Sequence, residues 1–115
     1  MMKPPCVNLV HLQGKITSVP KVYSLNTKTN LTSFQITMTE SWLSSEGEPK
    51  ERKNKFVVEV VGKDSARIAS VAKLGSWATI EGYLRSEQSK GMVFIKVRTK
   101  TIEVWEIANG TGGQV

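Results

Sequence analysis

Histidine and cysteine are almost missing from this chain: His11 and Cys6 are the only ones among its 115 residues. A single cysteine excludes an intramolecular disulfide, and these two residues are too few for the His/Cys cluster that holds zinc, so neither a metal nor a cofactor is expected. Catalysis also lacks material. There is no nucleophile motif and no glycine-rich phosphate loop, and the carboxylates are scattered among basic neighbours rather than paired, so the chain does not read as an enzyme. No apolar run approaches the roughly 20 residues that cross a bilayer, which leaves no membrane partner to expect. The opening MMKPPC has neither an apolar signal core nor an Arg-rich amphipathic pattern before strand-like alternation begins at Val7. A reducing, cytoplasmic setting is expected, nucleoid-associated if the partner is DNA.

What the chain does have is positive charge. Lys and Arg number 16 against 10 Asp and Glu, giving +6 and a pI near 9.6. That balance favours a polyanion, nucleic acid first and anionic lipid second, although a merely solvated basic face gives the same count. Charged residues at 23% and hydrophobic ones at 39% are ordinary globular values. The length suits one domain, expected over 1–107, followed by a short flexible Gly-rich tail over 108–115.

Val7 to Thr17, VNLVHLQGKIT, keeps Val10, Leu12 and Ile16 on one parity with Gly14 in the gap, a first strand with a bend. Ser18 to Asn30 reads as a loop, and Leu31 to Trp42 as a second strand carrying Phe34, Ile36 and Met38 on one side. Ser44 to Asn54, SSEGEPKERKN, reads as an exposed loop with a basic cluster of Lys50, Arg52, Lys53 and Lys55 at its end. FVVEVV from Phe56 to Val61 is a third strand. The period changes over Asp64 to Leu74, which predicts the only helix, with Asp64 or Ser65 capping its start and Gly75 just past its end. Trp77 to Arg85 and Met92 to Ile107 complete the set, separated by SEQSKG. Three strands, a helix and two strands predict an all-β fold with one helix: a five-stranded Greek-key barrel of the OB type, the helix between strands 3 and 4.

Nucleic acid, the first polyanion the charge suggests, offers phosphate charge and flat bases, so a surface that holds it needs cations interleaved with aromatics. The last strand offers Phe94, Lys96, Arg98 and Lys100 two residues apart, which in a regular strand face one way about 7 Å from each other. An amphipathic strand with a wet face is the plain alternative. Trp42 is either the lip of the core, as its parity with Phe34, Ile36 and Met38 suggests, or a stacking platform, as the polar Thr39, Glu40 and Ser41 before it suggest. In the second case Lys50, Arg52, Lys53 and Lys55 would grip phosphate beside it. Trp77 and Trp105 are assigned to packing, and Tyr83, sharing a face with Trp77 and Arg85, is a secondary stacking candidate.

The runs VNLVHLQGKITSVPKV, TESW and VGKDSARIASVAKLGSWATIEGYLR resemble, in this order, motifs of the bacterial and mitochondrial single-stranded DNA-binding proteins. The resemblance covers Val7 to Ile107. It implies an OB barrel, a homotetramer built from dimers, and sequence-tolerant binding of single-stranded DNA in replication, recombination or repair. It also places Trp42 at the family's stacking tryptophan, and Lys63, Lys73 and Arg85 at basic positions along the bound strand. Two departures stand out: Lys55 occupies a position where the family has a stacking aromatic, and Val61 one where a second often stands. A related family, primosomal replication protein N, shares the barrel, often forms dimers and carries fewer stacking aromatics. The rival expectation is therefore an interaction module of a replication-restart assembly, with replication proteins as partners and weak nucleic-acid binding. Stacking and phosphate contact serve RNA as well as DNA.

Overall fold

A computed structural model describes residues 6–106. The Gly-rich tail and the expected last strand residue, Ile107, lie outside the described residues. In chain order the elements are β1 (Val10–Ile16), β2 (Lys21–Ser24), β3 (Asn30–Leu43), β4 (Pro49–Val61), α1 (Lys63–Val71), β5 (Trp77–Ser89) and β6 (Met92–Trp105). The strands pair in the order β1-β5-β6-β4-β3-β2, and β1 also pairs with β3. The extra pairing closes five strands into a barrel and leaves β2 as a flank on β3. The helix therefore lies between the third and fourth barrel strands, as the OB pattern requires.

Closure depends on the bend in β1. Residues Val10 to Lys15 pair with β5, while Lys15 and Ile16 pair with β3. Gly14 sits just before that change of partner, where a Cβ would come within 3.0 Å of the Thr37 carbonyl oxygen and 2.9 Å of Met38 Cγ. Inside the barrel Ile16, Phe34, Ile36, Val58, Val60, Ala78, Ile80, Val97 and Ile102 form the core, with Ile68 and Ala72 from the helical segment covering it. A fully buried isoleucine such as Ile36, Ile68 or Ile80 contributes about 1.5–3 kcal/mol by leaving water. Two polar residues enter this core together. Thr32 and Ser65 are fully buried, and their hydroxyls lie 2.6 Å apart, with Thr32 Oγ1 also donating to the Ser65 carbonyl at 2.8 Å.

Several boundaries differ from the sequence reading. The stretch expected as a loop over Ser44 to Asn54 is mostly strand: β4 begins at Pro49, and every residue from Leu43 back to Leu31 has a partner on it. Pro49 is tolerated because it is the first residue of the strand, where a missing N–H costs no ladder bond. SEQSKG is likewise a hairpin, with Ser89 paired to Met92 and only Lys90 and Gly91 turning, both at positive φ. The loop expected from Ser18 to Asn30 contains β2. The helix spans Lys63–Val71, Gly62 stands at its N-cap, and no side chain caps it, so neither Asp64 nor Ser65 does what was expected of it. Gly75, at φ 91°, belongs to the following turn, where its N–H donates to the Ile16 carbonyl.

Candidate nucleic-acid interface

Inward and outward faces follow from the core. Val58 and Val97 are buried and directly paired, so their neighbours Glu59 and Arg98, the next pair, point outward. Continuing across the sheet, Arg98 pairs with Tyr83, Glu59 with Ser33, and Ser33 with Lys21. One row of outward positions therefore crosses five strands: Tyr83, Arg98, Glu59, Ser33, Lys21. A groove of about 430 Å³ runs over it, lined by Tyr23, Leu31, Glu59, Arg85, Lys96 and Arg98 among others. Tyr23 and Ser33 also line a second hollow with Ser18, Lys21, Gln35 and Val57. Lys55 and Lys53 follow Val57 at alternate positions of β4, opposite Thr37 and Thr39, and extend the same face.

The floor of the groove is a charge network. Glu59 is 5% exposed. Its Oε1 accepts from Arg98 Nε at 3.3 Å and Nη2 at 3.1 Å, and its Oε2 faces Lys96 Nζ at 3.5 Å. Lys96 also pairs with Glu87 on the neighbouring strand. A carboxylate this dry persists only because both oxygens meet cations. The hydrogen bond to Glu87 is the main reason the Lys96 ammonium is held above its ordinary value, against the opposing effect of its own burial. The same bond, followed by the charge of Lys96, holds the Glu87 carboxyl below the usual carboxylate range. Both groups are therefore charged at neutral pH.

This arrangement revises the cation ladder expected on the last strand. Phe94, Lys96 and Arg98 do share a face, but β6 carries a bulge: Glu81 pairs with Thr101 and Gly82 with Thr99, which leaves Lys100 unpaired between them. The inward positions shift from Val97 to Ile102, so Lys100 does not continue a regular row. Lys96 and Arg98 are bound to carboxylates rather than facing water.

The basic cluster on β4 also divides. Lys50 and Arg52 pair with Trp42 and Glu40, on the face that continues the barrel's interior, whereas Lys53 and Lys55 pair with Thr39 and Thr37 on the outer face. Trp42 is 49% exposed. No bulge turns it outward; β3 simply outruns the barrel, its 14 residues spanning roughly 45 Å at strand rise. Trp42, Leu43, Pro49 and Lys50 form an apolar hollow at the tip of that arm. Lys63 and Lys73 stand exposed at either end of the helical segment and line none of these hollows. Trp77 and Trp105 stack on each other with centroids 5.8 Å apart, and Trp105 Nε1–H donates to Thr79 Oγ1.

Among the charged and aromatic residues of this face, Lys21, Tyr23, Glu59 and Glu87 escaped the sequence reading. The alternation of Lys21 and Tyr23 was the only signal for the first two, and it is four residues long with every residue exposed.

The family model for single-strand binding proteins matches residues 7–107, and the chain belongs to that family of non-enzymatic DNA-binding proteins. No curated protein sequence matches it. Among solved structures, a deletion mutant of the single-stranded DNA binding protein from Thermus aquaticus superposes with a TM-score of 0.77 at 18% identity, over 87% of this chain and 51% of that one. The chain thus spans about half the length of the Thermus aquaticus protein. A Plasmodium falciparum single-strand binding protein in complex with single-stranded DNA gives 0.75 at 15% identity, covering 90% of this chain and 96% of that one. A small single-stranded DNA-binding protein from Streptomyces coelicolor gives 0.69 at 12%, covering 86% and 94%. At such identities the likeness is one of fold.

Proposed function

We propose that the chain binds single-stranded DNA without regard to sequence, along the outer face of β2, β3, β4, β6 and β5, in the service of replication, recombination or repair in the cytoplasm. The observation that carries this reading is the continuous basic face, on which the groove over Glu59 and Arg98 runs into Lys21, Lys55 and Lys53. Family membership and the DNA-bound Plasmodium falciparum relative support it. Tyr23 and Tyr83 offer flat faces on this side, and Trp42 offers one on the β3–β4 arm. RNA would meet the same chemistry, so oligo-U belongs beside oligo-dT in the test.

Four cations of the face, Lys21, Lys53, Lys55 and Arg85, make no ion pair among the described residues. Four phosphate contacts give a slope of log K against log salt of roughly −3, and a loss of about fiftyfold between 50 and 200 mM salt. Titration of tryptophan fluorescence with oligo-dT measures both. Lys55→Ala is expected to flatten the slope by about 0.7 and to weaken dT, dC and mixed sequences alike, because phosphate contacts carry no base information. Trp42→Ala, which lies on the opposite side of the β3–β4 arm from Lys53 and Lys55, tests whether the bound strand wraps that arm: loss of most of the quench with the fold intact shows that it does. No binding at 50 mM salt would turn the case to an interaction module, which the neutralised groove floor and Lys55 at an aromatic's position favour. Assembly into a homo-oligomer, tetramer or dimer, is supported by Val7 and Leu9, 92% and 67% exposed before β1, and is checked by light scattering.

A further inference from the structure

We infer that Glu87 is an internal competitor for the nucleic-acid phosphate: it occupies Lys96 in the free protein and must leave when a phosphate arrives, so it sets the affinity of the groove. The inference rests on the reading of this face as the DNA-binding surface. Lys96 and Arg98 look like two phosphate ligands, yet with Glu59 and Glu87 they form a set of two cations and two anions whose charges cancel. The two acids differ in what they can do. Glu59 belongs to the barrel wall, its side chain 6% exposed and both oxygens engaged, so it stays and holds Arg98 in place. Glu87 lies on the β5–β6 arm beyond the barrel with its side chain 47% exposed, and Lys96 is its one ion-pair partner among the described residues. Its carboxylate can swing into water at little cost, since an exposed carboxylate is readily solvated.

A phosphate oxygen offers Lys96 the same charge and hydrogen bond that Glu87 offers. Exchanging one for the other leaves Lys96 paired and hydrates a carboxylate, so the new phosphate pair replaces an existing ion pair instead of adding one. The free protein therefore binds more weakly than its cations suggest, and part of the counterion release expected from Lys96 is cancelled in advance.

The test compares the parent with Glu87→Gln by fluorescence titration with oligo-dT from 50 to 300 mM salt. The amide keeps the size of the side chain and removes its charge. Affinity at 50 mM salt is expected to rise by roughly fivefold to tenfold, with the slope steeper by about 0.7, one phosphate contact's worth. The double variant Glu87→Gln with Lys96→Gln must lose this gain, because the effect acts through Lys96. Glu103→Gln, on the wall of β6 that faces away from the groove, must leave the slope unchanged. If the parent binds and Glu87→Gln binds no tighter, or if the gain persists without Lys96, the competitor role is overturned while the binding face stands. If the parent fails to bind at all, both fall together.

Discussion

Gly82 faces the backbone of β6 at the bulge, and replacing it with alanine tests how tightly the seam between β5 and β6 is closed. A Cβ at this position falls 2.1 Å from the Arg98 carbonyl oxygen and 3.0 Å from both Arg98 C and Thr99 Cα. Comfortable separations are roughly 3.5 Å, so the overlap exceeds about 1 Å, and it is with backbone that has no rotamer to change. Overpacking of this kind costs about 1–3 kcal/mol and occasionally more, and a backbone clash at the centre of a barrel belongs at the upper end. The entropy alanine removes from the unfolded chain returns about 0.4–1 kcal/mol. A net loss of roughly 2–3 kcal/mol lowers the melting midpoint by about 8–12 °C, at about 4 °C per kcal/mol for a domain of this size. Gly14→Ala is the internal comparison: its Cβ meets Met38 Cγ at 2.9 Å, a flexible side chain that can move, and the Thr37 carbonyl oxygen at 3.0 Å, a much smaller backbone overlap than at Gly82, so about 1 kcal/mol is expected. Urea and thermal unfolding followed by circular dichroism give both numbers. A Gly82→Ala protein within about 0.5 kcal/mol of the parent, or more stable than Gly14→Ala, would refute the argument. Because Arg98 is the clashing residue, the variant is also expected to loosen its contact with Glu59.

The buried hydroxyl pair gives a second expectation: Thr32→Val leaves Ser65 without its partner in a dry site and costs about 1–3 kcal/mol, while adding Ser65→Ala restores part of the loss in the same unfolding assay. The Lys96–Glu87 pair gives a pH dependence with a definite sign. Glu87 is depressed, so its contribution is full above the ordinary glutamate range and is lost as pH falls through its lowered value. Lys96 is raised, so the contribution is full below the ordinary lysine range and is lost as pH rises through the raised value. The melting midpoints of the parent and Glu87→Gln are therefore expected to differ by a small constant at neutral pH and to converge once pH falls below the lowered glutamate value or rises above the raised lysine value. Convergence at pH 6 instead would mean that the pair does not hold in solution.

The barrel was legible because its walls alternate where they are buried. Phe34 and Ile36 lie against Phe56 and Val58, and the period-two pattern around Gly14 and Ile80 marks an interior that water does not reach. The arms were not legible for the same reason. Beyond the barrel, Glu40 faces Arg52 and Ser41 faces Glu51, so both sides of the hairpin are wet and no apolar period distinguishes strand from loop. Gly47 and Pro49 then drew the boundary too wide. Trp42, left between two readings, keeps the parity of Phe34, Ile36 and Met38 and is nevertheless 49% exposed, because the arm outruns the core. Glu59 was invisible as a site residue because its partners come from β6 through a parallel pairing nearly 40 residues away, which no local pattern announces. The bulge at Lys100 was hidden too, since it shows only in the register of β6 against Glu81 and Gly82 on β5.

Two seams of the barrel rest on two register pairs each, β1 with β3 at its closure and β4 with β6 through Val58 with Val97 and Glu59 with Arg98, whereas β3 and β4 share a ladder of thirteen pairs from Leu31 to Leu43. The β4–β6 seam is therefore a line along which the wall can part without disturbing either hairpin, and hydrogen exchange there is expected to follow local opening rather than global unfolding. The second pair of this seam is also the ion pair at the bottom of the groove. A ligand that pulls on Arg98 therefore pulls on the latch of the barrel, and one that packs over it holds the latch shut.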